Sequence, residues 1–285
     1  AKIKESMMKD MKSKDPKIRK IATACYLIYR TSMRVGDEKD ADEADTVGAT
    51  TLRKEHVKLA ANSIEFDFLG KDSVRWKETI QVEGDDKQFY ENLKELVANK
   101  KSHEEIFDGI TSRHVNAYFS GIVKGLTAKV FRTYLATNEV KDYLKKHTSI
   151  KSESPNVKLY HAKMANLQAA IMCNHKRTIP KTFENALQKK REMLKNIQET
   201  KPKTEKQKEK LEERKEKIKL AIDLAEKTRD YNLGTSLRNY IDPRVFKAWT
   251  DEIKADWEKL YTAALQKKFL WVKNENIKWK DIVTQ

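Results

Sequence analysis

Between Phe183 and Asp230 the chain reads FENALQKKREMLKNIQETKPKTEKQKEKLEERKEKIKLAIDLAEKTRD. Nearly every second residue is charged, and Leu187, Leu194, Leu211, Ile218 and Leu220 are the sparse apolar points. Pro202 cannot continue a helix, because it lacks an amide hydrogen and clashes with the preceding turn. The pattern predicts two antiparallel helices joined near Pro202 and projecting into solvent. A disordered acidic and basic linker is the competing reading, because the apolar stripe is thin. Soon after the run comes GTSLRNYIDPR, Gly234 to Arg244, which sets Tyr240 between the charged stretch and an Asp-Pro helix start.

Upstream, Asp15 and Pro16 supply an N-cap and a first-turn proline for a helix through about Met33, closed by Gly36. Ile18, Ile21, Ala22, Cys25, Ile28 and Tyr29 share one face of it and face a core. Residues 1–14, rich in Lys and Met, read as frayed. Arg34 stands at the C-terminal end of the helix, where its dipole favours cations. From Leu52 to Val82 the apolar period shortens to two: Ile64, Phe66 and Phe68, then Val74, Trp76 and Ile80 beyond a turn at Gly70 to Ser73. This is a small antiparallel sheet with Lys71 on its hairpin tip.

Further helices are expected at about 86–99, 111–122, 127–147 and 157–174. Thr127 is a candidate N-cap, and Arg132 lies in the early turns of the helix it opens. At i±4 from Arg132 stand only Ala128 and Ala136, which cannot pair with it. His175 falls at the far end of another helix, before Arg177 and Pro180. Asp242 and Pro243 start a helix through about Lys259, and a last one carries Leu265, Phe269 and Trp271. The expected fold is mainly α with a small antiparallel β-sheet (α+β) and a protruding helical hairpin. Its parts are a core, 1–182, with three strands near 52–82; a charged hairpin linker, 183–230; and a C-terminal segment, 231–285.

With 285 residues, a formal net charge of +16 and 36% charged side chains, the composition favours a polyanionic partner over an acidic small molecule. A solvated, highly charged surface is the plainer alternative. Cys25 and Cys173 each sit among apolar neighbours, so the sequence excludes a disulfide framework or a CxxC metal pair and points to a reducing intracellular compartment. No apolar run is long enough to span a membrane, and no signal peptide is visible. The chain opens with Ala, which suggests a processed protein or a fragment.

One tyrosine and dispersed cations are what phosphoryl transfer without a metal requires. A phenolate can attack phosphorus, and the transition state then needs fixed positive charge around its oxygens. Arg34 and Arg132 present planar forks that hold two phosphate oxygens each. His175 and Lys71 are two further isolated basic residues in compact, well-marked settings. Singly, each has an ordinary explanation: a helix cap for Arg34 or His175, a turn lysine, a buried ion pair for Arg132, a core aromatic for Tyr240.

Together these segments resemble the type IB DNA topoisomerases, of the eukaryotic and archaeal kind. Arg34 in MRVGDEK with ADTVG at 44–48 resembles the opening catalytic block of that family, and EFDFLGKDS at 65–73 its lysine hairpin. GLTAKVFRTY at 125–134 resembles its central arginine helix. CNHKR at 173–177 with PKTF at 180–183 resembles its histidine segment, and Gly234 to Arg244 its tyrosine segment. The five blocks stand in family order, with the charged hairpin between the fourth and fifth.

The resemblance implies the tyrosine recombinase and topoisomerase IB catalytic fold, with Arg34, Lys71, Arg132, His175 and Tyr240 as catalytic residues. It also implies a 3′-phosphotyrosyl intermediate, rotation of duplex DNA and religation, with no cofactor, metal or ATP. Candidate DNA contacts are Lys129, Asn174, Lys176, Arg177, Lys181, Thr235 and Asn239, and Asp72 is a candidate orienting residue. The expected partner is duplex DNA, gripped by a monomer that touches no membrane. Its place is with the chromosome, in the nucleus of a eukaryote or the cytoplasm and nucleoid of an archaeon.

Two departures stand out. Asp37 occupies a position where eukaryotic members usually have Asn, and no counterpart of the family's N-terminal cap region is found. The expectation is a catalytic lobe of a longer protein, its cap supplied by the same protein, or one that grips DNA from one side. A tyrosine recombinase is the main rival, but its second arginine usually lies in a His-x-x-Arg motif, whereas Lys129 stands three residues before Arg132. A non-enzymatic DNA-binding module on the same scaffold is the third reading. A metal nuclease fits least, because His56, His103, His114, His147 and His161 are scattered.

Overall fold

The computed structural model describes residues 2–37, 47–70 and 75–284, which form two compact units, Ala1–Leu135 and Ala136–Gln285. The expected class holds: the chain is mainly helical, with one small antiparallel sheet. The boundary between the units falls inside a helix. It differs from the partition read from composition because charge tracks solvent exposure whereas compact units track packing.

In the first unit, α1 (Lys2–Asp10) is ordered, which corrects the reading of residues 1–14 as frayed. Met7 and Met11 lie one turn apart and are fully buried, and Tyr118 donates a hydrogen bond to Asp10 at 2.8 Å. Burying two methionines contributes about 3 kcal/mol or more, enough to hold a short helix. The next helix, α2 (Pro16–Thr31), starts where expected: Asp15 accepts from the amides of Lys17 and Ile18. It closes earlier than predicted, at Ser32 in the left-handed conformation rather than at Gly36.

Strands β1 (Val57–Ala60), β2 (Ser63–Leu69) and β3 (Arg75–Gln81) form an antiparallel sheet in the order β1-β2-β3, with Phe66 opposite Glu78 and Leu69 opposite Arg75. Ile64, Phe66 and Phe68 are buried as the alternation requires. Helices α3 (Asp86–Val97), α4 (Ser112–Ile122) and α5 (Ala128–Lys145) follow. Asp86 is buried and holds the Arg30 fork at 2.9 and 3.1 Å and the Tyr26 hydroxyl at 2.9 Å, which ties α2 to α3. Glu78 shares the inward face of β3 with Trp76 and Ile80; burial pushes its carboxyl up to about 7 against the opposing charge of Arg30.

In the second unit, α6 (Pro155–Met172) is opened by Ser154, whose hydroxyl takes the Val157 amide. The charged run folds as a helical hairpin, α7 (Phe183–Glu199) and α8 (Glu205–Thr228), joined through Pro202. Leu187, Ile197 and Ile218 are buried, and Arg191 pairs with Glu226 at 2.6 Å. The thin stripe suffices because α8 is also tied to α6: Ser154 donates to Glu216, and Tyr160 donates to Asp223, which also takes Lys227 at 2.8 Å.

Short α9 (Leu233–Asn239) precedes α10 (Pro243–Glu252). The predicted run from Asp242 to about Lys259 breaks after Glu252: Lys254 is left-handed, and Asp256 starts a separate 3-10 turn, Trp257–Leu260. The single last helix is instead three short ones, α11 (Ala263–Lys268), α12 (Leu270–Lys273) and α13 (Trp279–Thr284). Leu265 and Phe269 are buried around Trp249 and Phe246, whereas Trp271 is 51% exposed. No helix among the described residues is long and apolar enough to cross a membrane.

Candidate active site

Arg34 stands in the loop after α2, and that loop is clamped by backbone. The amides of Ala49 and Thr50 donate to the carbonyls of Arg34 and Val35, each at 2.8 Å. So close a crossing needs Gly48: a Cβ there would lie 2.4 Å from the Gly36 nitrogen and 2.5 Å from its Cα. Gly36, with φ +93°, supplies the turn. Asp37 then accepts the Ser112 amide with both carboxylate oxygens, at 2.9 and 3.0 Å, and the Thr50 hydroxyl at 3.1 Å. A carboxylate on the first amide of α4 is favoured by the helix dipole. The residue that departs from the family pattern thus anchors the Arg34 loop.

Arg132, only 3% exposed, comes to the same loop from α5. Its Nε donates to the Ser32 carbonyl at 2.6 Å. Burying a guanidinium is costly unless hydrogen bonds hold it, so this side chain is fixed in direction before any ligand arrives. Thr127 takes the Val130 amide at 3.3 Å, in keeping with its expected capping role, and Asn116 of α4 takes the Ala128 amide at 2.9 Å. Lys129 is exposed. Lys71 and Asp72 lie outside the described residues.

In the second unit α6 ends at Cys173, and Asn174 turns left-handed at φ +50°, a conformation Asn tolerates. The His175 amide returns to the Ala170 carbonyl at 2.8 Å. The two ends of the hairpin are then stitched together. Asn232 N–H donates to the His175 carbonyl at 2.7 Å, Arg177 N–H to the Asp230 carbonyl at 2.8 Å, and Lys176 bridges Tyr231. The Asn232 side chain caps α9 by accepting the amides of Gly234 and Thr235. At the other end of α9, Tyr240 forms the C-cap. The result is that the His175 and Tyr240 rings lie 5.0 Å apart at 48°. Both are largely buried.

A family model of the catalytic core of eukaryotic DNA topoisomerase I matches residues 1–210, and one of the C-terminal topoisomerase domain matches residues 212–281. The chain belongs to the eukaryotic DNA topoisomerase I family. Curated relatives agree. DNA topoisomerase 1 of Caenorhabditis elegans is 36% identical over 94% of this chain and 36% of its own length. The Homo sapiens enzyme of that name is 35% identical over 95% of this chain and 39% of its own length. DNA topoisomerase I, mitochondrial, of Rattus norvegicus is 35% identical over 96% of this chain and 51% of its own length. The chain thus spans about a third to a half of these family members.

Within this family member the structure brings His175 to Tyr240 and Arg132 to the Arg34 loop. Of the candidate DNA contacts, Lys176, Arg177, Lys181 and Asn239 are exposed, and Asn174 and Thr235 are half-buried. Arg177 spends its Nε on the Arg229 carbonyl at 3.3 Å. The sequence reading missed Asn232, although an Asn directly before a short helix is a cap signal. It also missed the capping role of Asp37, whose partner lies far along the chain.

Proposed function

We propose that this chain is the catalytic part of a topoisomerase that cuts and reseals one strand of duplex DNA through Tyr240, without ATP or metal. The observation that carries the reading is the meeting of His175 with Tyr240 at the stitched root of the hairpin, in a chain of this family. The Tyr240 oxygen gives up its proton to water and attacks the phosphorus; a bond forms between phosphorus and the tyrosyl oxygen, the phosphate stays on the 3′ end, and the bond to the 5′-oxygen breaks. Lys71 gives the departing 5′-oxygen its proton, and Arg34, Arg132 and His175 hold the non-bridging oxygens. The phosphotyrosine keeps the energy of the broken ester, so the 5′-hydroxyl can reverse the step after the duplex has turned. The working place follows the DNA, the nucleus of a eukaryotic source.

The test is relaxation of positively and negatively supercoiled plasmid in EDTA without ATP, with capture of an adduct on a nicked suicide duplex. Its scissile strand carries a 5′ label, which stays with the protein. Wild type is expected to relax both plasmids and form the adduct. Tyr240→Phe is expected to do neither, and an adduct in that variant would sink the assignment.

A further inference from the structure

We infer that Asn166 is a positioning residue that sets Tyr240 against His175, with Lys268 as a second clamp; this rests on the reading of Tyr240 as the nucleophile. Asn166 lies on α6, the helix that delivers His175, and is only 4% exposed. Both ends of its amide are spent on α9, the helix that delivers Tyr240. The Nδ2 donates to the Leu233 carbonyl at 3.0 Å, and Oδ1 accepts the Ser236 hydroxyl at 2.7 Å. Ser236 is fully buried, and its carbonyl accepts the Tyr240 amide at 2.9 Å. One side chain therefore connects the His175 helix to the residue whose carbonyl holds the Tyr240 backbone.

A short helix has little rigidity of its own, so external contacts must fix where its last residue points. The far end of α9 has such a contact in Lys268 on α11, whose Nζ donates to the Arg238 carbonyl at 2.7 Å. A cation on the terminal carbonyls of a helix satisfies an otherwise unpaired acceptor and suits the helix dipole. Beyond the tyrosine, the Asp242 amide donates to the Thr137 hydroxyl of α5 at 3.1 Å. Tyr240 is thereby bracketed by three anchors on three different helices. Neither Asn166 nor Lys268 needs to touch DNA for this role.

The experiment uses the full chain and the 5′-labelled suicide duplex in single-turnover cleavage. Misplacing a reacting group by an ångström lowers rates by on the order of a hundredfold, and partial loosening by on the order of tenfold. Asn166→Ala is expected to slow cleavage at saturating duplex by that range, with the half-saturating duplex concentration unchanged. Asn166→Asp, which keeps the acceptor for Ser236 and loses the donor to Leu233, is expected to lie between. Ser236→Ala combined with Asn166→Ala is expected to slow cleavage by less than the product of the two single effects, because the Asn166–Ser236 bond is already lost in each single variant. A wild-type rate in Asn166→Ala, a loss confined to the half-saturating concentration, or an additive double variant overturns the proposal. If Asn166→Ala does not fold by circular dichroism, Lys268→Met carries the test, and an unchanged rate there overturns it. Adduct formation by Tyr240→Phe would instead overturn the nucleophile, whereas an inactive Tyr240→Phe beside an unaffected Asn166→Ala overturns the positioning alone.

Discussion

The Arg34 loop and the Tyr240 helix reach fixed geometry by opposite means. Around Arg34 the chain is held by main-chain bonds across a contact so tight that a glycine is required, and a single carboxylate, Asp37, secures the far side. Around Tyr240 the backbone is ordinary, and the fixing falls to polar side chains, Asn232, Asn166 and Lys268. The first kind of site fails when a small residue is enlarged, the second when a polar one is truncated. Their titratable groups oppose each other as well. Glu78 in the first unit is pushed up to about 7 by burial, whereas His161 in the second is pushed down to about 4, chiefly by burial and then by the charge of His147, whose ring is 4.2 Å away.

The largest effect is expected from Gly48→Ala. The added carbon meets only backbone, including the Arg34 carbonyl at 2.8 Å, and overpacking of this kind costs about 3 kcal/mol, measurable by urea unfolding. A cost near zero would break the contrast at its root. Next is Asp37→Ala, which removes the acceptor of the first α4 amide, that of Ser112, and is expected to cost about 1 kcal/mol and to slow cleavage about tenfold. Asp37→Asn keeps an acceptor and is expected to retain most of both.

Smaller again, after solvent screening, is the pH response. Glu78 binds its proton more tightly folded than unfolded, so its contribution is present below about pH 4.5 and is lost as pH rises through about 7. Glu78→Gln is therefore expected to flatten the melting temperature over that window. The folded pKa of His161 is depressed, so its contribution is present above pH 6.5 and is lost as pH falls through about 4. His161→Phe is expected to flatten that opposite arm. Parallel changes in the two variants would contradict the assigned causes. The smallest effect is expected from Gly234→Ala, where the nearest atom is the Asn232 Oδ1 at 3.3 Å. Its helical gain and this crowding should offset to within about 1 kcal/mol.

Much of the fold was legible in local signals. Asp15 with Pro16 and Asp242 with Pro243 open helices where expected, the period-two run from Ile64 to Phe68 is a strand, and Pro202 joins the hairpin. Elements with weak local signals were not legible. Two methionines are too few to announce α1, and Lys254 gives no hint of the left-handed turn that ends α10 early. Trp271 was expected on one last helix with Leu265 and Phe269, yet the chain breaks into α12 there and Trp271 is exposed. At the site, Tyr240, His175 and Arg132 could be singled out as candidates from residue type and order. Their anchors could not: the partners of Asp37 and Asn166 lie far away in sequence, and no periodicity encodes a hydrogen bond between distant segments.

The stitched root of the hairpin has a further consequence, seen when α7 and α8 are treated as a polymer loop. Its ends are pinned by residues 175–177 and 229–232 before the excursion begins. The cost of closing such a loop grows only with the logarithm of its length, about 0.6 kcal/mol per doubling. Hairpin length is therefore nearly decoupled from the placement of Tyr240. Whole turns can be gained or lost at the tip while the ring-to-ring distance at the root stays the same.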